Sequence, residues 1–412
     1  MRVLIVGNGG RESAVAEKLK SDSRITRLYF ANGNASTERL GKNINYARIS
    51  ELRDYALKEK IDLTIVGPEA PLVEGIVDDF KQHNLRIFGA KSRSAQLEGS
   101  KTFSKKFMQK YGVKTARARI FDSFSKAVEY VKKEDYPIVI KASGLAGGKG
   151  VVICETLEEA EAALHAFMIS KMYGDAGIQV VIEEYLRGFE ASVIAFSNGE
   201  KLFPCIPVKD YKKVGNGDKG PNTGGMGSVA PSPEFTPTHF QDFQESILFP
   251  TLNGLKEEHL NFKGFIFFGL MITEKGTYLL EYNMRLGDPE TQSLLALLEN
   301  NLLDVIEDCL EGKEIALKFS DQKAVCLVMC SGGYPGNIET GYEITGTEKV
   351  KYSHLLYAGA QYRGDRIVTS GGRVLNLIAK GSTYEEARER VYYDAHQVKF
   401  DYNFYRNDIG EF

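Results

Sequence analysis

The chain has 412 residues, of which 43% are hydrophobic and 26% charged, with a net charge of -3 and a pI near 6.2. That length has room for two to four domains with ample cores, and the composition is that of an ordinary globular protein. The slightly negative balance argues against a polyanion binder, which needs a clustered excess of Lys and Arg, yet it is compatible with a local basic pocket for a small phosphate ester. Met1–Gly7 reads as a strand running into glycine, too short in its apolar run for a signal peptide. No run of about 18 apolar residues is present to span a membrane. The cysteines Cys154, Cys205, Cys309, Cys326 and Cys330 are scattered and form no CxxC pair, so they read as reduced structural thiols of a cytoplasmic protein.

Along residues 1–100, short β-like runs (Val3–Val6, Leu28–Ala31, Leu63–Val66, Arg86–Phe88) alternate with helical patterns at Ser13–Lys20 and Leu72–Gln82. Such alternation predicts a parallel α/β sheet with ligands at the carboxyl ends of its strands, where Gly7–Glu12 and Gly67–Leu72 fall. Residues 101–320 predict glycine-linked strands at Ile138–Lys141, Val151–Cys154, Val180–Glu184 and Ala191–Phe196. A long polar stretch at about 209–233 follows, which reads equally well as a loop closing over substrate or as a linker. Helical patterns at Phe240–His259, Glu290–Leu298 and Leu302–Glu311 flank apolar strands at Gly264–Thr273 and Thr277–Tyr282. Residues 321–412 form a small α/β tail with strands Ala324–Met329 and Val374–Ala379 and a helix at Tyr384–His396. The expected class is α/β and α+β, in three domains: 1–100, 101–320 and 321–412.

Chemistry concentrates in a few motifs. Lys141-Ala-Ser-Gly-Leu-Ala-Gly-Gly-Lys149-Gly150 joins two strands. Its glycines let backbone N–H groups approach phosphate oxygens, and its lysines add point charges. It is not a Walker loop, because Ser143 and Gly150 stand where Gly and Ser/Thr are required. Glu183-Glu-Tyr-Leu-Arg-Gly-Phe-Glu190 lies at a strand end suited to an adenine edge and ribose hydroxyls. In Glu281-Tyr-Asn283-Met-Arg285, alternate residues of a strand share a face. Glu281 and Asn283 therefore offer paired oxygen donors for Mg²⁺, and Arg285 can hold a phosphoryl or carboxylate group. Gly7-Asn-Gly-Gly-Arg-Glu12 is half a dinucleotide fingerprint, with Glu12 where the third glycine belongs. The six histidines fall outside every motif. The chemistry is thus left to Mg²⁺, lysine, arginine and carboxylates, a set suited to phosphoryl transfer.

Taken in order, these motifs resemble those of the glycinamide ribonucleotide synthetase family of ATP-grasp enzymes. The resemblance spans nearly the whole chain and is carried also by Gly67-Pro-Glu-Ala-Pro-Leu72, Leu97-Glu-Gly-Ser-Lys101, Pro221-Asn-Thr-Gly-Gly-Met-Gly227, Gly287-Asp-Pro-Glu-Thr-Gln292, Gly332-Gly-Tyr-Pro-Gly336 and Gly371-Gly-Arg-Val-Leu375. It implies a central ATP-grasp domain with a lid at about 115–190. Lys101, Lys141, Gly147, Gly148 and Lys149 would meet the ATP phosphates, Glu183 and Tyr185 the adenine, and Glu190 the ribose. Glu281 and Asn283 would hold Mg²⁺ or Mn²⁺. Arg285, Asp288 and Asp210 would serve glycine and its acyl phosphate, and Asn8, Gly10, Glu12 and Glu69 the phosphoribosylamine. Glycine and 5-phosphoribosylamine are the implied substrates, with a monomer acting on neither nucleic acid nor membrane. Another ATP-grasp ligase and a nucleotide-binding regulatory protein are the competing readings. Ser13, Ala90, Ser143, Tyr211, Lys213 and Ala360 stand where the family usually has His, Pro, Asp, His, Arg and Thr.

Overall fold

The computed structural model describes residues 1–147 and 150–412. Its first sheet has five parallel strands in the spatial order Lys42–Ile44, Arg27–Ala31, Arg2–Val6, Leu63–Val66, Ile87–Phe88. Val3 and Ile5 join one apolar cluster and Leu4 and Val6 another. Both faces are therefore covered, which explains why the strand reads as unbroken hydrophobics. The strand order reverses between Arg2–Val6 and Leu63–Val66. The crevice expected at such a switch point is framed by the loops after those two strands.

The pattern at Leu72–Gln82, expected as one helix, is two: Glu69–Val73 and Ile76–Gln82. Gly75 separates them at φ +95°. The sequence reading also passed over helices Ala35–Leu40 and Ile49–Lys58 and strand Lys42–Ile44. Ile49–Lys58 fully buries only Leu52 and Ala56, so its apolar stripe is faint.

Two antiparallel four-stranded sheets follow. The smaller runs Ala118–Phe121, Val180–Glu184, Ile138–Ala142, Val151–Cys154 across the sheet. Helices Phe124–Val131 and Leu157–Leu164 back it through an apolar cluster of its own. The larger runs Leu202–Pro204, Phe189–Asn198, Lys263–Thr273, Gly276–Asn283.

The polar stretch after residue 208 is neither a free loop nor a linker. Lys209–Asp210 and Gly227–Ala230 add two strands to the C-terminal sheet, ahead of Lys323–Cys330, Arg373–Gly381 and His354–Tyr357. Lys213–Gly215 and Lys219–Asn222 form a hairpin between them. Val229 and Ala230 are fully buried, and this anchoring was hidden because only short runs inside the stretch are apolar. Helix Tyr384–Ala395 covers the C-terminal sheet. All five cysteines are buried and unpaired, and no helix among the described residues is long and apolar enough to cross a membrane.

A Cβ on Gly75 would meet nothing closer than 3.8 Å, so Gly75→Ala tests backbone strain alone. It is expected to lower unfolding stability by about 1–2 kcal/mol, the cost of a left-handed non-glycine residue. Urea denaturation with an unchanged m-value checks this, and no loss would show that the helix break tolerates a different backbone.

Candidate active site

The site begins with an irregularity in the strand Gly276–Asn283. Leu279 lies opposite Leu270 and Glu281 opposite Gly269, so Leu280 is an extra, unopposed residue. Bulges of this kind re-aim side chains. The Leu280 carbonyl accepts a hydrogen bond from Lys141 Nζ at 3.2 Å, and Glu281 and Asn283 both line the cleft between the two antiparallel sheets. Burial would raise the Glu281 pKa, but Lys212, Lys101 and Lys141 hold it below the usual range. Asn283 Oδ1 accepts from Arg285 Nη2 at 3.1 Å. Among the described residues no group of three His, Cys, Asp or Glu side chains could enclose a metal. The Glu281/Asn283 pair instead fits Mg²⁺, which is commonly held by one or two protein oxygens together with substrate phosphates.

The floor of the cleft is an ion triad. Glu183 is 4% exposed, and its carboxylate lies 2.8 Å from Lys141 Nζ and 2.9 Å from Lys105 Nζ. Burial would raise the Glu183 pKa, but Lys141 and Lys105 hold it low. Burial pushes the Lys105 ammonium down despite Glu183. Lys105 also donates to Thr115 Oγ1 at 2.7 Å, and Thr115 in turn to the Leu279 carbonyl at 2.6 Å. Lys101 opens the helix Lys101–Tyr111, capped by Ser100. Its N–H donates to the Ser143 carbonyl at 2.7 Å, and Thr102 Oγ1 meets Ser143 Oγ at 2.9 Å. Ser143 therefore ties the glycine-rich turn to this helix.

Lys101, Lys141, Glu183, Tyr185, Glu190 and Glu281 line one cavity. Gly147 joins Lys101, Lys141, Glu281, Asn283 and Arg285 in the adjoining one. Gly148 and Lys149 lie outside the described residues. Glu190 pairs with Lys212 at 2.5 Å. Burial would lower the Lys212 pKa, but Glu190, Glu281 and Asp210 raise it. The Glu183 side chain is engaged by two lysines and its backbone by two neighbouring strands. In this geometry it holds Lys141 and Lys105 together at the floor of the cleft.

Arg285 joins the cleft to the first sheet. Its Nε donates to Glu69 Oε2 at 3.1 Å, and its Nη2 lies 3.0 Å from Glu98 Oε1. Glu98 Oε2 accepts the Met284 N–H at 2.7 Å. Burial pushes the Glu98 carboxyl up to about 7 although Arg285 draws it down. Burial also acts to raise Glu69, but Arg285, its own backbone N–H and Arg11 together leave that carboxyl low.

The remaining expected residues form a second cluster. Glu12 accepts from the Gly9 N–H at 2.7 Å and from Arg11 Nε at 2.6 Å. Asp288 accepts from the Arg11 N–H at 3.1 Å and from Gln292 Nε2 at 2.9 Å, with Arg373 Nη1 at 3.3 Å. Burial works against the Asp288 charge, but Arg373 and Arg11 hold its pKa low. The Asn8 carbonyl accepts from Asn34 Nδ2 at 2.9 Å. At Gly10, the first residue of helix Gly10–Lys20, a Cβ would fall 2.3 Å from Asn376 Nδ2, so a larger residue would have to displace that side chain. Asp210 Oδ1 is buried with no hydrogen-bond partner, and burial, then Glu290, push that carboxyl well up. Asn8, Gly10, Glu12, Asp210 and Asp288 line neither part of the lysine cleft. They adjoin it through the stretch from Arg285 to Asp288.

Sequence reasoning missed Lys105, Glu98 and Arg373. Lys105 was findable, since it lies four residues after Lys101 and so on the same helical face. Glu98 and Arg373 sit inside quoted motifs but act through partners 186 and 85 residues away, which no local pattern discloses.

Two antiparallel sheets closing on a lysine-lined cleft, with an acid–amide pair at its edge, define an ATP-grasp protein. The profile of the phosphoribosylglycinamide synthetase N domain matches residues 1–98, that of its ATP-grasp (A) domain residues 99–291, and that of its C domain residues 324–412. The chain belongs to the phosphoribosylglycinamide synthetase family. It is 48% identical to the phosphoribosylamine–glycine ligase of Clostridium acetobutylicum over 100% of both chains. It is 46% identical to that of Caldanaerobacter subterraneus over 100% of this chain and 99% of the relative. The crystal structure of phosphoribosylamine–glycine ligase from Thermotoga maritima matches with a TM-score of 0.86 at 35% identity, covering 99% of this chain and 100% of that one. A biotin carboxylase from Campylobacter jejuni shares the fold at a TM-score of 0.76 and 13% identity, over 97% and 92% of the two chains.

Glu183→Gln would leave two buried ammonium groups without a counter-charge. It is expected to cost about 3–5 kcal/mol of stability and to weaken ATP binding, read by urea unfolding and nucleotide titration. Wild-type values in both would remove the triad from its organising role. Glu98, titrating near 7 in the fold against about 4.3 when unfolded, binds more protons in the native state between those values. Its contribution to stability should therefore fall as pH rises from about 4 to about 7 and stay level above. Glu98→Gln should flatten the measured slope over that window.

Proposed function

We propose that the chain ligates glycine to 5-phosphoribosylamine at the expense of ATP, giving glycinamide ribonucleotide, ADP and phosphate, a step of purine synthesis. The observation that carries this reading is the shared cleft of Lys101, Lys141, Glu281, Asn283 and Arg285 in a chain homologous over its whole length to ligases of that name. A divalent cation bound with ATP at Glu281 and Asn283 would neutralise phosphate charge. The five buried, unpaired cysteines suit a reducing, cytoplasmic setting.

In this reading Lys101 and Lys141 hold the phosphate chain, and Arg285, itself fixed by Glu69 and Glu98, orients the glycine carboxylate toward the γ-phosphorus. A carboxylate oxygen forms a bond to that phosphorus while the bond to the ADP oxygen breaks. The acyl phosphate then meets the amine of phosphoribosylamine, held on the side of Asn8, Gly10 and Glu12. The amine nitrogen bonds to the carbonyl carbon and loses a proton, and phosphate departs with the oxygen it took from glycine. No nucleophilic side chain takes part, consistent with buried cysteines whose thiol pKa values are raised by burial and therefore poor as thiolates.

Glycine carrying heavy oxygen in its carboxylate should deliver one labelled atom to each phosphate released, as read by mass spectrometry of phosphate in a coupled ADP-release assay. Unlabelled phosphate alongside normal product would rule out the acyl phosphate. No ADP release with glycine and fresh phosphoribosylamine would rule out the substrate pair.

A further inference from the structure

Away from the cleft, a cavity of about 520 Å³ opens where helices Gly10–Lys20 and Glu290–Leu297 meet the C-terminal sheet. That size suits a small organic ligand. Its floor is apolar: Leu295, Leu356 and Ile378 are 5%, 2% and 5% exposed. Gln292, 2% exposed, is set among them. Its amide nitrogen is held by Asp288 Oδ1 at 2.9 Å and Asn376 Oδ1 at 3.4 Å, while its oxygen has no partner. Turning the amide over would set its oxygen against the Asp288 carboxylate, so the oxygen stays on the side away from Asp288. A buried acceptor without a donor is costly.

The rim is basic. Lys18, Lys380 and Arg390 stand around it with the half-exposed ring of Tyr352. Arg390 is engaged by Glu386 and by the Lys380 carbonyl, and Lys18 donates to the Leu298 carbonyl. Neither Lys18 nor Lys380 forms an ion pair among the described residues, although Glu17 shares the lining and Glu299 attracts Lys18 through space. Burial, then the charge of Lys380, push the Lys18 pKa down, and Glu299 only partly offsets them.

We propose that this cavity is a second ligand site, distinct from the ATP cleft, for a small phosphate monoester with a flat, N–H-donating body. The phosphate would lie against Lys18 and Lys380, and the ring would rest on the apolar floor beside Tyr352 with an N–H toward the Gln292 oxygen. A purine nucleoside monophosphate has this chemistry, and AMP is the probe. Isothermal titration of AMP into the full chain, with Mg²⁺ and excess non-hydrolysable ATP analogue filling the cleft, should find one AMP per chain. Lys380→Ala, an exposed position, should weaken it by about tenfold, the loss of one charge-assisted contact, with an unchanged melting curve. Lys18→Ala added to it should weaken AMP further. Inorganic phosphate should bind at least about tenfold more weakly than AMP, since it cannot also reach the floor. No binding with the cleft filled, equal binding to Lys380→Ala, or phosphate as tight as AMP would each overturn the site. The measurement needs no turnover, so its outcome is independent of the reaction assigned above.

Discussion

One buried carboxylate, shared by two lysines, organises the ATP-grasp part of this molecule. Glu183 belongs to strand Val180–Glu184, Lys141 to strand Ile138–Ala142 and Lys105 to helix Lys101–Tyr111. Three elements distant in sequence are thus clamped at one point. Lys105 passes the constraint on to Thr115, and Thr115 to the Leu279 carbonyl, so the small sheet is tied to the edge strand of the large one. Within this triad two ammonium groups share one carboxylate, and Glu281 adds a further carboxylate within the field of Lys141.

The second half of the site combines ion pairs, Arg11 with Glu12 and Arg373 with Asp288, with close approaches and backbone hydrogen bonds: the Arg11 N–H, the bare Cα of Gly10 against Asn376, and the Arg373 guanidinium on the Asp288 and Gly224 carbonyls. Arg285 lies between the halves, held by acids from the first sheet's loop and from helix Ser92–Gly99. Arg285 thereby links the lysine cleft to the first sheet, and the carbonyl of its neighbour Leu286 receives the Arg11 guanidinium of the second cluster.

Much of this was legible in the sequence, for identifiable reasons. Strands such as Leu63–Val66, Val151–Cys154 and Val180–Glu184 lie at the expected residues, because each is a short apolar run bounded by turn residues. Lys101, Lys141, Glu281, Asn283 and Arg285 do converge on one cleft, since motifs at strand ends are where a folded sheet gathers its ligands. What stayed hidden was pairing at a distance. Nothing near Glu183 says that two lysines will meet its carboxylate, and nothing in 209–230 says that its ends will add strands to a sheet formed a hundred residues later. The Ser13 and Ser143 departures became intelligible only in three dimensions. Ser13 Oγ donates to the Tyr357 carbonyl at 2.8 Å, and Ser143 secures the start of the Lys101 helix, so each has a structural task of its own.

The extra residue at Leu280 fixes the parity of the catalytic strand. Before it, odd-numbered Leu279 faces the large apolar cluster; after it, even-numbered Tyr282 and Met284 do. Odd-numbered Glu281 and Asn283 are thereby turned away from the core. Had the strand run on in regular alternation, those two polar side chains would have pointed into hydrocarbon and Tyr282 and Met284 into the cleft. A chain one residue shorter at this point would exchange the inside and outside of its own active site while changing almost nothing in composition.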